Sequence, residues 1–287
     1  MKYHLHENGW TVILDEFDFR LATQEEINLI CRLIARYTLV VVRDQKLTLA
    51  EEIAVLHMFK NPKPAFAQTD EYFEQNAADL ASDPVGLVCR VTGEKDALGR
   101  TGIAGHEEEM AWHNNSPFDP DRSPIVWLYS VKGSAGSRTS YNNTTLAYRD
   151  LTQEARDKLK DLKCIYFSGI SLDSSDISES VNKEIHTEYT PPLVYTNNAG
   201  QLGLYLSPYL LENFVGLTKE QTNKIVEPLF EFVTQDKYCY HHNWADGDVL
   251  LGEQWLGIHK RWPFDKIEQR LLHRAAADFP DQDYTNV

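Results

Sequence analysis

The chain has 287 residues, 42% hydrophobic and 11% aromatic, with a formal net charge of −15. That length suits one large domain or two small ones, and no compositional shift marks a linker, so a single domain over 1–287 is expected. The charge repels phosphate backbones and anionic surfaces, the longest apolar runs are far too short to cross a bilayer, and no basic-then-apolar leader opens the chain; no nucleic-acid or membrane partner is expected, and a cytoplasmic location is.

In chain order, residues 10–14 alternate and are β-rich, whereas 23–36 carry Ile27, Ile30, Cys31 and Ile34 at helical spacing behind a Thr23-Gln24-Glu25-Glu26 start. A buried strand at 37–42 and a short helix from Thr48 to about Phe59 follow. Residues 60–83 are rich in Pro, Asn and Asp and read as a surface excursion near a site. The pattern then predicts strands at 86–91, 124–131 and 139–143, helices at 145–150 and 152–162, and a strand at 164–168. Residues 169–191 are polar and aperiodic, which reads as a mobile lid or a disordered loop. Asn197-Asn198-Ala199-Gly200 between two short apolar runs signals a hairpin, and 218–233 reads as a helix with a Thr218-Lys219-Glu220-Gln221 capping box and a kink or break at Pro228. The last strand is expected at 270–277. Many short strands, flanking helices and no repeats argue for a mainly β sandwich or barrel. Cys31, Cys89, Cys164 and Cys239 are scattered without close pairing and read as buried thiols.

The chemistry concentrates at Glu109-Met110-Ala111-Trp112-His113-Asn114-Asn115. In extended backbone, side chains at i and i+2 point the same way, so His113 and Asn115 can face one cavity while Asn114 faces away. A third ligand from a distant strand, His259, would complete one face of an octahedral ion. Two imidazoles and a carboxylate in that arrangement hold non-haem Fe(II) with three positions left open; here an amide takes the carboxylate position. Behind His259 come Arg270 and Arg274, four residues apart and therefore on one face of a strand. A planar guanidinium grips a carboxylate through two parallel bonds, and the Thr139 hydroxyl can add another. Such a basic pocket would draw a small anion into an otherwise acidic protein.

Several ordered features extend the pattern along the chain: Val41-Val42-Arg43-Asp44-Gln45, Trp112-His113, Trp127-Leu128-Tyr129, Gly136-Ser137-Arg138-Thr139, Ala147-Tyr148-Arg149-Asp150-Leu151, Gly247-Asp248, and His259 with Arg270 and Arg274. With these the chain resembles the taurine dioxygenase-like family of Fe(II)- and 2-oxoglutarate-dependent oxygenases. The resemblance implies a double-stranded β-helix, a cupin-like jelly roll whose mouth holds iron. It implies His113 and His259 as metal ligands and catalytic residues, Arg270 with Thr139 as the grip on 2-oxoglutarate, and Arg274 as a contact for an anionic substrate.

The sequence departs from the family pattern at two places. Asn115 stands where an aspartate ligand is usual, and Glu253-Gln254-Trp255 stands where Asp-Asn-Arg is more common. An amide offers a neutral carbonyl oxygen, a weaker donor that needs a hydrogen bond on its nitrogen to be oriented. Three outcomes follow: Asn115 joins the metal directly or through water and oxygenation proceeds; the position is left to a halide; or iron binding fails and the protein is a non-catalytic binder of 2-oxoglutarate or another small acid. Glu109 is a poor substitute, since four residues along a strand span roughly 13 Å. Adjacent His241 and His242 point to opposite faces of a strand, so at most one could share a site. The expected activity is a 2-oxoglutarate-dependent dioxygenase that hydroxylates an unactivated carbon of a small, anionic substrate, with Fe(II) as cofactor; a homo-oligomer is compatible with the sequence.

Overall fold

The computed structural model describes residues 1–64, 77–79, 81–96, 99, 101–168 and 183–284. In chain order the strands are β1 Lys2–Leu5, β2 Thr11–Asp15, β3 Leu39–Val42, β4 Lys60–Lys63, β5 Cys89–Val91, β6 Met110–His113, β7 Ile125–Lys132, β8 Arg138–Asn143 and β9 Cys164–Ser168. They continue with β10 Glu184–His186, β11 Val194–Thr196, β12 Leu202–Leu204, β13 Leu211–Phe214, β14 Cys239–Asn243, β15 Val249–Glu253, β16 Gly257–Arg261 and β17 Leu271–Asp278. The helices are α1 Gln24–Tyr37, α2 Leu49–Leu56, α3 Thr144–Asp150, α4 Gln153–Leu159 and α5 Lys219–Val233.

Two sheets build the jelly roll. The larger runs β1-β2-β3-β15-β7-β17-β4, with β5 also on β17; the smaller runs β14-β8-β16-β6. Alternation within each strand divides the core. On β7 and β15, Trp127, Tyr129, Val249 and Leu251 face α1 and its Ile27, Ile30 and Ile34, whereas Val126, Leu128 and Leu250 face the other way among Tyr141, Tyr240 and Trp244 of the smaller sheet's side. Because β3 is covered on both faces, all four of its residues are apolar and buried. A third apolar cluster joins α5 to β9, β12 and β13.

The helix starts follow from their caps. Thr23, Thr48 and Thr218 each accept from the third backbone N–H of their helix while Glu26, Glu51 or Gln221 returns the bond. Of the kink or break expected at Pro228, the break does not occur: helix α5 runs through it, because Pro228 lies on the exposed face, where water can satisfy the carbonyl that loses its N–H partner. The excursion expected at 60–83 also begins differently: Lys60–Lys63 form an edge strand on β17, a position that tolerates Pro62. Residues 65–76 and 80 of that segment, and 169–182 of the expected lid, lie outside the described residues; past the latter, β10 pairs with β9. All four cysteines are buried and outside any disulfide, and burial pushes the Cys31 and Cys164 thiols up to about 12. No described helix is long and apolar enough to cross a membrane.

Candidate active site

The smaller sheet supplies one wall of the site. His113 closes β6 directly opposite His259 of β16, and the two imidazole centroids lie 4.4 Å apart. Across the next pairing, Thr139 of β8 stands opposite Arg261. Strand parity brings the side chains of His113, Thr139, His259 and Arg261 to one face. The larger sheet supplies the other wall, with Val126 and Leu128 on β7, Arg274 paired to Leu128, and Arg270 immediately ahead of β17. Together with Asn115 these residues line one cavity of about 520 Å³, its open mouth included. All six residues singled out from the sequence (His113, Asn115, Thr139, His259, Arg270 and Arg274) meet there.

Each imidazole is prepared by its surroundings. The Nδ1 of His113 lies 2.6 Å from the Ala111 carbonyl. A carbonyl oxygen only accepts, so Nδ1 carries the proton and Nε2 keeps its lone pair. Burial pulls the His113 value down to about 4, and burial with His113 and Arg274 nearby holds His259 well below the usual imidazole range. Both rings are therefore neutral near pH 7. Tyr141 supports His259 from beneath, rings stacked at 5.6 Å and 25°. A side chain at Gly252 would crowd that tyrosine, since its Cβ would lie 3.0 Å from Tyr141 Cε1.

Asn115 is held as firmly. Its Nδ2 donates to Gln254 Oε1 at 2.5 Å, and Gln254 Nε2 donates to the Ser123 carbonyl at 2.9 Å. The Asn115 Oδ1 accepts no hydrogen bond among the described residues. Arg122 clamps both backbones, Nη1 donating to Asn115 O at 2.7 Å and Nη2 to Gln254 O at 3.1 Å, with its guanidinium 4.4 Å above the Tyr205 ring. Asn114 faces away from the cavity, its backbone N–H on Ser207 Oγ.

The cavity is cationic. Among the described residues its lining contains Arg261, Arg270 and Arg274 and no carboxylate. Arg261 is occupied by the Ala104, His106 and Glu108 carbonyls, each at 2.6 Å. Arg270, only 3% exposed, has no partner on Nε or Nη1. Burial, reinforced by Arg261, pulls its guanidinium down to about 9. Thr139 Oγ1 accepts from Trp244 Nε1 at 2.9 Å; the indole can only donate, which leaves the hydroxyl proton free to serve a ligand. Two neutral imidazoles and an oriented amide oxygen suit a divalent metal ion, and a desolvated guanidinium without a partner suits a carboxylate.

The remaining candidates fall elsewhere. Glu109 pairs with Lys260 at 2.8 Å. His242 bonds Asp248 at 3.0 Å, while His241 meets Ser140 Oγ at 2.6 Å; neither lines the cavity. Among the described residues no cluster of three His, Cys, Asp or Glu could hold a metal, and none of their carboxylates lines the cavity in place of the amide. Sequence reasoning assigns Arg122 no role, and it marks Gln254 only as part of the Glu253-Gln254-Trp255 departure from the family pattern.

A family model described as taurine catabolism dioxygenase TauD, TfdA family matches residues 5–276. Among similar proteins, an alpha-ketoglutarate-dependent 2,4-dichlorophenoxyacetate dioxygenase of Cupriavidus pinatubonensis is 24% identical over 91% of this chain and 92% of its own. An (S)-phenoxypropionate/alpha-ketoglutarate-dioxygenase of Sphingobium herbicidovorans is 24% identical over 84% and 83%. The pentalenolactone F synthase of Streptomyces arenae is 24% identical over 64% of this chain, and the match spans 66% of that protein's length. Of solved structures, AAD-2 in complex with Mn(II) and N-oxalylglycine superimposes with a TM-score of 0.71 over 96% of both chains at 18% identity, a likeness of fold. A taurine dioxygenase from Burkholderia xenovorans gives 0.69 over 93% of this chain and 85% of that one, at 21% identity.

Proposed function

The chain belongs to the taurine catabolism dioxygenase TauD/TfdA family, and from that premise we propose that it is an Fe(II)- and 2-oxoglutarate-dependent dioxygenase hydroxylating an unactivated carbon of a small, anionic substrate. One observation carries the reading: two neutral imidazoles, a tethered amide and a buried guanidinium without a partner converge on one cavity to which no carboxylate contributes among the described residues.

His113, His259 and Asn115 would hold the metal, the histidines through ring nitrogens kept unprotonated by burial and the asparagine through Oδ1. Iron with 2-oxoglutarate supplies the oxidative chemistry, in which dioxygen is divided between succinate, released with carbon dioxide, and the hydroxylated product. Arg270 binds the distal carboxylate of the co-substrate, whose negative charge offsets the desolvated guanidinium, and Thr139 donates its free proton alongside. Arg274 presents a second cation to the substrate. Val91, Ile103, Val126 and Leu128 make the rest of the wall apolar, which excludes water from the reacting carbon. The reading takes the chain as one cytoplasmic catalytic domain acting on a small molecule, without nucleic-acid or membrane partners.

An anaerobic titration of the metal-free protein with Fe(II) and 2-oxoglutarate tests this. A weak visible charge-transfer band is expected, lost in His259→Ala, with iron-dependent succinate formation once oxygen is admitted. Binding of 2-oxoglutarate with neither band nor succinate would instead make the protein a small-acid binder.

A further inference from the structure

The two places at which the sequence departs from its family pattern, Asn115 and the Glu253-Gln254-Trp255 stretch, touch each other in space through Asn115 and Gln254, although 139 residues separate these two in the chain. We propose that Gln254 is a positioning residue for the metal centre: anchored on the Ser123 carbonyl, it fixes the Asn115 amide in the one orientation that presents Oδ1, and not Nδ2, to the cavity. This rests on the function proposed above.

The argument is one of hydrogen-bond polarity. The Ser123 carbonyl can only accept, so the Gln254 amide must present Nε2 to it, at 2.9 Å. That leaves Oε1 on the other side, where it can only accept, and Asn115 must present Nδ2 to it, at 2.5 Å. The direction set by one backbone carbonyl thus passes through two side chains to the cavity. An amide nitrogen has no available lone pair for a metal, so a reversed Asn115 would be no ligand at all. Reversal would also oppose two carbonyl oxygens in a place where Asn115 is 6% and Gln254 4% exposed, with little water to intervene. The Arg122 guanidinium, bonded to the backbone oxygens of both residues, keeps them from drifting apart.

A consequence concerns aspartate at this position. In Asn115→Asp one carboxylate oxygen would face Gln254 Oε1. Relief requires Gln254 to turn over, which sets its Oε1 against the Ser123 carbonyl. The charge gained at the metal is therefore opposed by a broken relay, and the substitution alone is not a repair.

The test uses the full chain and Mn(II) alone, with free Mn(II) followed by electron paramagnetic resonance and folding checked by circular dichroism. Gln254→Met keeps length and removes both polar atoms; it is expected to weaken Mn(II) binding about 10- to 100-fold. Gln254→Glu still accepts from Asn115 but sets its second carboxylate oxygen against the Ser123 carbonyl, so it should weaken Mn(II) binding less than Gln254→Met does, by about 3- to 10-fold. In an Asn115→Ala background, Gln254→Met should change affinity by no more than about twofold, because the residue it acts through is gone. Unchanged binding in Gln254→Met, equal losses in the Met and Glu variants, or the same loss in both backgrounds would each overturn the relay while leaving the enzyme reading intact. If the unaltered protein binds neither Mn(II) nor Fe(II), the proposed function itself falls, and the relay with it. Should Gln254→Met not fold, the Glu variant and its own cycle with Asn115→Ala decide the matter.

Discussion

Arg270 shows at the scale of one residue how function and stability oppose each other in this protein. A buried guanidinium with two unpartnered nitrogens is a liability until a carboxylate arrives. Arg270→Met should therefore raise the stability of the ligand-free protein, by about 1–3 kcal/mol. The same change should weaken 2-oxoglutarate binding about 100-fold or more, because two charge-assisted bonds go with it. Arg270→Lys keeps the charge but not the planar fork, so its binding should lie between the two. Thermal unfolding without ligand and calorimetric titration with 2-oxoglutarate measure both halves. Normal 2-oxoglutarate affinity in Arg270→Met would place the co-substrate elsewhere.

At the scale of elements, Pro228 separates local rule from context. Inside a helix proline removes one hydrogen bond, and in α5 it does so on the face turned to solvent. Pro228→Ala restores an N–H for the preceding turn without touching the buried stripe of Thr222, Val226, Leu229 and Val233. A gain of about 1–3 kcal/mol is expected from the denaturation midpoint, with an unchanged slope on denaturant. A loss would mean that the proline's rigid backbone, and not its missing donor, governs this helix. The same contrast explains which elements were legible. Strand β9 stood out as Cys164–Ser168 because its apolar run is β-rich and bounded by polar turns, and α1 announced itself through Thr23 and Glu26. Strand β1 is only four residues long and wholly exposed, so its brief Lys-Tyr-His-Leu pattern marks no buried face, and β14 reads Cys-Tyr-His-His-Asn, where burial comes from partners and not from apolar side chains. Within the site, His113, His259, Arg270 and Arg274 were legible from residue type, spacing and resemblance. Gln254 and Arg122 were not, because hydrogen bonds between a loop at 115–123 and the end of β15 leave no local pattern in the chain.

Over the whole molecule, the acidic surface and the buried carboxyl of Glu253 act in the same direction with pH. Glu253 is 3% exposed, its Oε2 accepts from Asn197 Nδ2 at 3.0 Å, and its Oε1 has no partner. Burial pushes its carboxyl up to about 8, against an ordinary value of 4.5, with Asn197 and Arg122 only partly opposing the rise. A group whose folded value is raised binds its proton more tightly in the native state. Its stabilising contribution is full below pH 4.5 and is lost as pH climbs through 8, with a slope approaching about 1.4 kcal/mol per unit between those limits. His113 and His259 work the other way: their depressed values withdraw stability as pH falls below 6.5, through about 4 for His113. Stability should consequently peak on the acidic side of neutrality. Repulsion among the charges behind the net −15 deepens the alkaline loss and adds a salt dependence, since screening weakens surface repulsion but scarcely reaches a buried group. Glu253→Gln separates the contributions. The amide oxygen still accepts from Asn197 and there is no proton to lose, so the variant should gain on the unaltered protein steadily from pH 5 to about 8, to the order of a few kcal/mol. That gain should persist in 0.5 M salt, whereas the repulsive part of the alkaline loss should shrink in both proteins. Chemical denaturation at several pH values and two salt concentrations measures this; parallel curves for the two proteins would mean that Glu253 is ionised in the folded state and that its burial is balanced by Arg122.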